Sequence, residues 1–239
     1  MVYVRGWRGK IGLIFPAPGG APDFEYHDRV PEGVGVFIAR LPFEACSIEG
    51  LSRMGDFVED AAALVAQAKV DLILFACTTG SLVKGLGYDK QLIARIEKRT
   101  GIPALTTSTA VVEAMHVLNM KRIAIATPYS EEVNEAERKF IEGSGFEVSV
   151  IKGLGHVNPT AMGTVQHEVM YRLAKEVNSD DADGIFISCT GISVLDIIDP
   201  LEEDLHKPVV TSNQASLWAS LRRLNIGTRL GGLGQLFEK

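Results

Sequence analysis

The chain is a doubled half-chain, and the duplication constrains its fold more than any other feature. One copy reads Ile11-Gly-Leu-Ile-Phe-Pro16 and then Asp71-Leu-Ile-Leu-Phe-Ala-Cys77-Thr-Thr-Gly-Ser81. The other reads Ile123-Ala-Ile-Ala-Thr-Pro128 and then Asp183-Gly-Ile-Phe-Ile-Ser-Cys189-Thr-Gly-Ile-Ser193. Proline and cysteine stand 61 residues apart in both (77 minus 16, and 189 minus 128). A third element repeats as well: Ile102-Pro-Ala-Leu-Thr-Thr-Ser-Thr-Ala110 answers Lys207-Pro-Val-Val-Thr-Ser-Asn-Gln-Ala215. Apolar helices follow and end in Leu118-Asn119-Met120 and Leu224-Asn225-Ile226. A pseudo-twofold molecule is expected, with one thiol from each half facing a shared cleft.

Within each half, short β-rich runs alternate with segments of helical period, the pattern of βαβ units and a parallel sheet. Strands are expected over 11–15, 34–40, 71–76 and 103–106, and again over 122–127, 145–151, 183–188 and 208–211. Leu72–Phe75 and Ile185–Ile187 are continuously apolar, as a central strand covered on both faces must be. Leu51, Met54, Phe57, Ala61, Leu64, Val65 and Ala68 make one helical stripe. Val133, Ala136, Phe140 and Ile141 make another before Gly143-Ser-Gly145, and Val165, Val169, Leu173 and Val177 line a third helix after Pro159-Thr160. The fold class is therefore α/β, with two similar domains that each hold a mostly parallel sheet of about four strands. The first half is expected to comprise 1–112 plus 214–239, the last helix packing back on it, and the second half 113–213. Right-handed crossovers put the strand carboxyl ends of each half at one edge, where open α/β sheets bind ligands. Pro16, Cys77, Thr106, Pro128, Cys189 and Thr211 fall at that edge.

Composition narrows the function classes. A 46% hydrophobic, 23% charged chain of net charge −6 suits two buried cores. No basic run points to nucleic acid, and no apolar stretch is long enough to span a membrane. Three cysteines without a C-x-x-C pair imply neither a disulfide framework nor a zinc ribbon, so a cytoplasmic, reduced protein is expected. No dinucleotide, Walker or His-Glu-x-x-His motif is present, and no metal or cofactor is expected.

Cys77 and Cys189 are each followed by a polar, glycine-containing turn, Thr78-Thr79-Gly80-Ser81 and Thr190-Gly191-Ile192-Ser193. Such a turn offers hydroxyls and backbone N–H groups to an anion. A buried cysteine is ordinarily a small hydrophobe, but that does not account for matched positions in two repeats. A thiolate is a nucleophile and base, and a thiol is an acid of similar strength, so two thiols can serve the two faces of one carbon. Cys46 has no counterpart in the second half and reads as a structural or incidental loop thiol. His27 and His156, in loops beside strand ends, read as wall residues. Asp196 and Glu113 read as helix-surface or capping carboxylates.

These residues resemble the aspartate/glutamate racemase superfamily, within it the branch of maleate cis–trans isomerase and arylmalonate decarboxylase. Leu105–Val111, Ala124–Asn134 and Ser188–Asp196 carry the likeness, which covers essentially the whole chain. The resemblance implies catalytic roles for Cys77 and Cys189, the decarboxylase having glycine at the first position. It implies carboxylate donors at Thr78, Thr79 and Tyr129, with Pro16, Thr190 and Gly191 lining the site, and a substrate-binding amide near Asn158. The loop Pro16-Ala-Pro-Gly-Gly-Ala-Pro22 is similar to that of the decarboxylase. The activity implied is a cofactor-independent isomerase on a small carboxylate, of the maleate type. A two-base racemase and a decarboxylase stand as alternatives, as does a non-catalytic carboxylate sensor, though binding alone would not need both thiols. A homo-oligomer is expected from the resemblance.

Overall fold

The computed structural model describes residues 6–239. The first half builds strands β1 (Gly9–Pro16), β2 (Val34–Leu41), β3 (Leu72–Phe75) and β4 (Ala104–Thr106). The second builds β5 (Arg122–Tyr129), β6 (Glu147–His156), β7 (Gly184–Ile187) and β8 (Val209–Thr211). The sheet orders are β2-β1-β3-β4 and β6-β5-β7-β8, with every pairing parallel. Two four-stranded parallel sheets thus repeat one topology. β3 and β7 are buried along their whole length, and each buried aliphatic side chain there contributes about 1.5–3 kcal/mol. The repeated aspartates tie the central strands together. Asp71 accepts from Lys10 N at 2.8 Å, and Asp183 accepts from Lys121 N at 2.9 Å and Arg122 N at 2.8 Å.

Helices α1 (Ala21–Arg29), α2 (Ile48–Met54), α3 (Val58–Ala66), α4 (Thr78–Leu82), α5 (Tyr88–Thr100) and α6 (Thr107–Val117) belong to the first repeat. The second holds α7 (Glu131–Gly143), α8 (Pro159–Gly163), α9 (His167–Val177), α10 (Ile198–Leu205) and α11 (Ser212–Arg223). Thr106 and Thr211 cap α6 and α11 by accepting from Thr109 N and Gln214 N. The repeated Leu-Asn pairs end the same two helices. Asn119 (φ 57°) and Asn225 (φ 58°) take the left-handed conformation that asparagine tolerates. α11 lies against α6 and reaches β3 of the first sheet as well as β8.

Three expectations need correction. The apolar stripe 51–68 is not one helix, because a 3₁₀ turn at Gly55–Phe57 separates α2 from α3. Tyr88 packs so closely there that a Cβ on Gly55 would lie 2.2 Å from its hydroxyl, and Arg95 donates to the Gly55 carbonyl at 2.8 Å. Leu64, counted in that stripe, is 64% exposed. The helix after Pro159 is two helices, and Val165 lies in the turn between α8 and α9. β6 also runs on to His156, past its expected end at 151, with register shifts along β5 that carry Tyr129 beside His156.

Candidate active site

Both cysteines follow the last residues of central strands, but the local backbones differ. Cys77 is extended (φ −147°) and opens α4. Ser81 Oγ donates back to the Cys77 carbonyl at 2.7 Å and to the Thr78 carbonyl at 2.8 Å. Cys189 has φ 137°, which side-chain-bearing residues rarely adopt. Its N–H donates to Ser212 Oγ at 3.0 Å, and Gly191 N–H donates to its sulfur at 3.2 Å. Ser212 Oγ also accepts from Thr78 Oγ1 at 2.8 Å, so one hydroxyl at the start of α11 joins the two turns.

The two thiols, each 6% exposed, line one small cavity between the halves, with about 40 Å³ reachable by a water-sized sphere. Pro16, Thr79, Tyr129, Thr190 and Gly191 line it too. Thr78 does not, since its hydroxyl is turned to Ser212. Asn158 does not either: its side chain is the N-cap of α8, accepting from Thr160 N at 2.9 Å and Ala161 N at 3.2 Å. The next turn of chain takes that place in the wall, through Pro159 and Met162. Neither His27 nor His156 lines the cavity. Asp196 pairs with Arg29, and Glu113 pairs with Arg223.

The unexpected member is Cys46, which faces the same cavity at 3% exposure. Its N–H donates to the Val157 carbonyl at 2.8 Å, which fastens the loop after β2 to the second half. The one sequence signal for it was position: it follows a strand whose carboxyl end shares an edge with Cys77. Phe15, Gly19 and Phe43 complete the apolar part of the wall. A larger groove, of about 640 Å³, runs along edge strand β2 beside Trp7, away from the thiols.

Burial governs the protons in this cavity. It pushes Cys77 up to about 12, against lowering by Gly80 N–H and the Thr79 hydroxyl. It pushes Cys189 up to about 11, against lowering by the Tyr129 hydroxyl and the N–H groups of Gly191 and Ile192. Cys189 has more donors directed at its sulfur, which favour its thiolate against the burial. Burial raises Cys46 and Tyr129 as well, and the charges of the neighbouring thiolates would raise them further. The glycine at position 80 matters here: a Cβ would stand 2.9 Å from Cys77 Sγ and 2.3 Å from Met54 Cε.

The family model of arylmalonate decarboxylase matches residues 11–237. The chain belongs to that family. It is 28% identical to the arylmalonate decarboxylase of Bordetella bronchiseptica over 96% of each chain. It is 29% identical to a maleate isomerase of Pseudomonas putida, over 96% of this chain and 97% of the relative. Among solved structures, the maleate isomerase Iso of Pseudomonas putida S16 superposes with a TM-score of 0.92 at 25% identity, covering 96% and 98% of the two chains. A liganded double mutant of arylmalonate decarboxylase gives 0.90 at 28%, covering 96% and 99%. Family membership thus comprises cofactor-independent isomerases and decarboxylases on one fold.

In chemical terms, the family cleft of this chain offers three thiols, of which Cys77 and Cys189 come from matched turns of the two repeats, hydroxyls from Thr79 and Tyr129, and an apolar wall of Phe15, Phe43 and Met162. Such donors stabilise a carboxylate and, more strongly, the enediolate it becomes when charge moves onto it. Exclusion of water by the apolar wall strengthens those bonds.

Proposed function

We propose that the protein is a cofactor-independent isomerase that works with Cys77 and Cys189 on a small carboxylate, in the manner of a maleate cis–trans isomerase. The observation that carries this reading is the convergence of two thiols, one from each repeat, on one small cavity. Cys77 as thiolate adds to an alkene carbon, forming a C–S bond and placing the electron pair on the carbon next to the carboxylate. Cys189 gives that carbon its proton and becomes the thiolate. After rotation about the new single bond, Cys189 takes the proton back, the C–S bond breaks, and the trans acid leaves. Atoms and electrons balance without a co-reactant. Thr79, Tyr129 and the turns at Thr190 and Gly191 would hold the carboxylate, with Pro16 in the opposing wall.

A second reading has its own support. Among the described residues no lysine, arginine, asparagine or glutamine side chain lines the cavity, and Phe15, Phe43 and Met162 do. An apolar wall favours loss of a carboxylate as CO₂ followed by protonation from Cys189, the class of reaction named for the Bordetella relative. Two-base racemisation is the third reading, one sulfur removing an α-proton and the other returning one to the opposite face. Proton NMR in heavy water separates the three. The protein is mixed with maleate, with amino-acid enantiomers and with a disubstituted malonate. Conversion of maleate to its trans isomer is the expected result, and turnover of the malonate alone would replace the isomerase with the decarboxylase.

A further inference from the structure

Behind Cys189 lies a carboxyl group that neither reading uses. Glu137, on α7, is 0% exposed, and its Oε1 accepts from Ser188 Oγ at 2.6 Å. Its Oε2 is buried with no hydrogen-bond partner. Ser188 is the residue directly before Cys189, so this bond ends one step from the strained backbone at φ 137°. Strain of that kind persists only where the surroundings over-determine it. The matching residue before Cys77 is Ala76, which has no side-chain hydrogen bond to give, and Cys77 is unstrained.

The neighbours of Glu137 leave its charge uncompensated. α4 brings no titratable side chain, and β5 brings Tyr129. On β6, Glu147 pairs with Arg122 and Lys152 with Glu176, while His156 stands beside Tyr129. On its own helix, Arg138 is directed to Glu142 and to the Val148 carbonyl. Cys189, Tyr129 and Cys46 are the groups that feel a charge on Glu137.

We infer that Glu137 is a positioning residue for Cys189: through its bond to Ser188 it holds the strained strand end, and its buried carboxyl, one residue from the thiol, disfavours a second negative charge there. This rests on the reading of Cys189 as the proton donor. The donors in front of the sulfur, Tyr129 and the N–H groups of Gly191 and Ile192, favour the thiolate. A negative charge on Glu137 favours the thiol. Burial pushes Glu137 up to about 7, so that charge develops at neutrality and above.

The test needs no substrate. Site-resolved alkylation by iodoacetamide is followed by mass spectrometry between pH 6 and pH 10 in the full-length protein. In Glu137→Gln, which keeps the volume and an acceptor for Ser188, Cys189 should ionise at lower pH. Its alkylation at pH 8 should be at least about threefold faster, half a pKa unit being about threefold in thiolate. Cys77 should change by less than about twofold. Ser188→Ala is the second variant and covers a failure of the first to fold. With its one donor gone, Glu137 stays neutral to higher pH, and Cys189 should again react faster at pH 8. An unchanged Cys189 profile in a folded variant overturns the inference, as does an equal change at both cysteines. Should Cys189 respond as expected while no carboxylate is turned over, the reading of the reaction falls and the positioning role stands.

Discussion

Cys77 and Cys189 occupy the same place in two copies of one sequence pattern, yet their strand ends are held differently. Around Cys77 the bonds come from neutral groups, Ser81 and the Ser108 N–H that donates to it at 3.3 Å. Around Cys189 two buried carboxyls take part. Glu137 bonds Ser188 from within the second half. Glu25 reaches across from α1, accepting from Val194 N at 2.8 Å, Leu195 N at 3.2 Å and Asn213 Nδ2 at 2.6 Å. The two glutamates are themselves repeat-equivalent, since 137 minus 25 equals 128 minus 16. Burial pushes each up to about 7. The duplication thus yields two thiols with different surroundings.

The largest effect should come from the thiols themselves. Cys77→Ser and Cys189→Ser should each lower turnover by about 10³-fold or more, because a hydroxyl ionises far less readily and transfers its proton poorly near neutrality. Cys77→Gly sharpens the comparison: a single-thiol decarboxylase keeps turnover with it, and an isomerase does not. Steady-state rates on the three substrate classes decide.

Next, Tyr129→Phe should cost about 10²-fold in kcat, as loss of one donor to developing charge does. It should also slow alkylation of Cys189 more than that of Cys77, since Tyr129 donates to the Cys189 sulfur. Equal slowing of both would dissolve the electrostatic difference between the two sites.

Stability against pH tests the glutamates. In the unfolded chain each ionises near its ordinary 4.5, and in the fold only near 7. Between those values the unfolded state binds fewer protons, so stability is highest below 4.5 and falls as pH rises through 7, by about 3 kcal/mol for each group. Urea unfolding followed by circular dichroism should show Glu137→Gln losing less stability than the parent protein between pH 4.5 and pH 7.5. The same slope in both would place the Glu137 carboxyl in contact with water.

The smallest effects concern glycine. Gly80→Ala should destabilise by about 1–3 kcal/mol and disturb Cys77, because its Cβ would meet Met54 Cε at 2.3 Å. Gly191→Ala should be milder, with the nearest contact, Cys189 Sγ, at 3.4 Å. Thermal melting and Cys77 alkylation distinguish them, and the reverse ranking would show that the Cys189 turn is the tighter of the two.

Much of this protein is written in its sequence alone. The duplication, the apolar runs of β3 and β7 and the Leu-Asn helix ends settle two parallel sheets, because strand burial and helix termination are local properties. The same locality put Cys77, Cys189 and Tyr129 at strand ends, hence at one edge. What the sequence left open depended on groups far apart in the chain. Asn158 reads in the sequence as a substrate-binding amide, and the fold puts its Oδ1 on the N–H groups of Thr160 and Ala161, outside the cavity lining. Cys46 had no repeat partner to mark it, and only the packing of its loop against Val157 brings it to the cavity. Glu137 carries no motif in the sequence that marks it. Its importance lies in what it faces, a hydroxyl beside a strained cysteine, and only tertiary packing, which strips water from its carboxyl, gives it influence over a proton 52 residues away (189 minus 137).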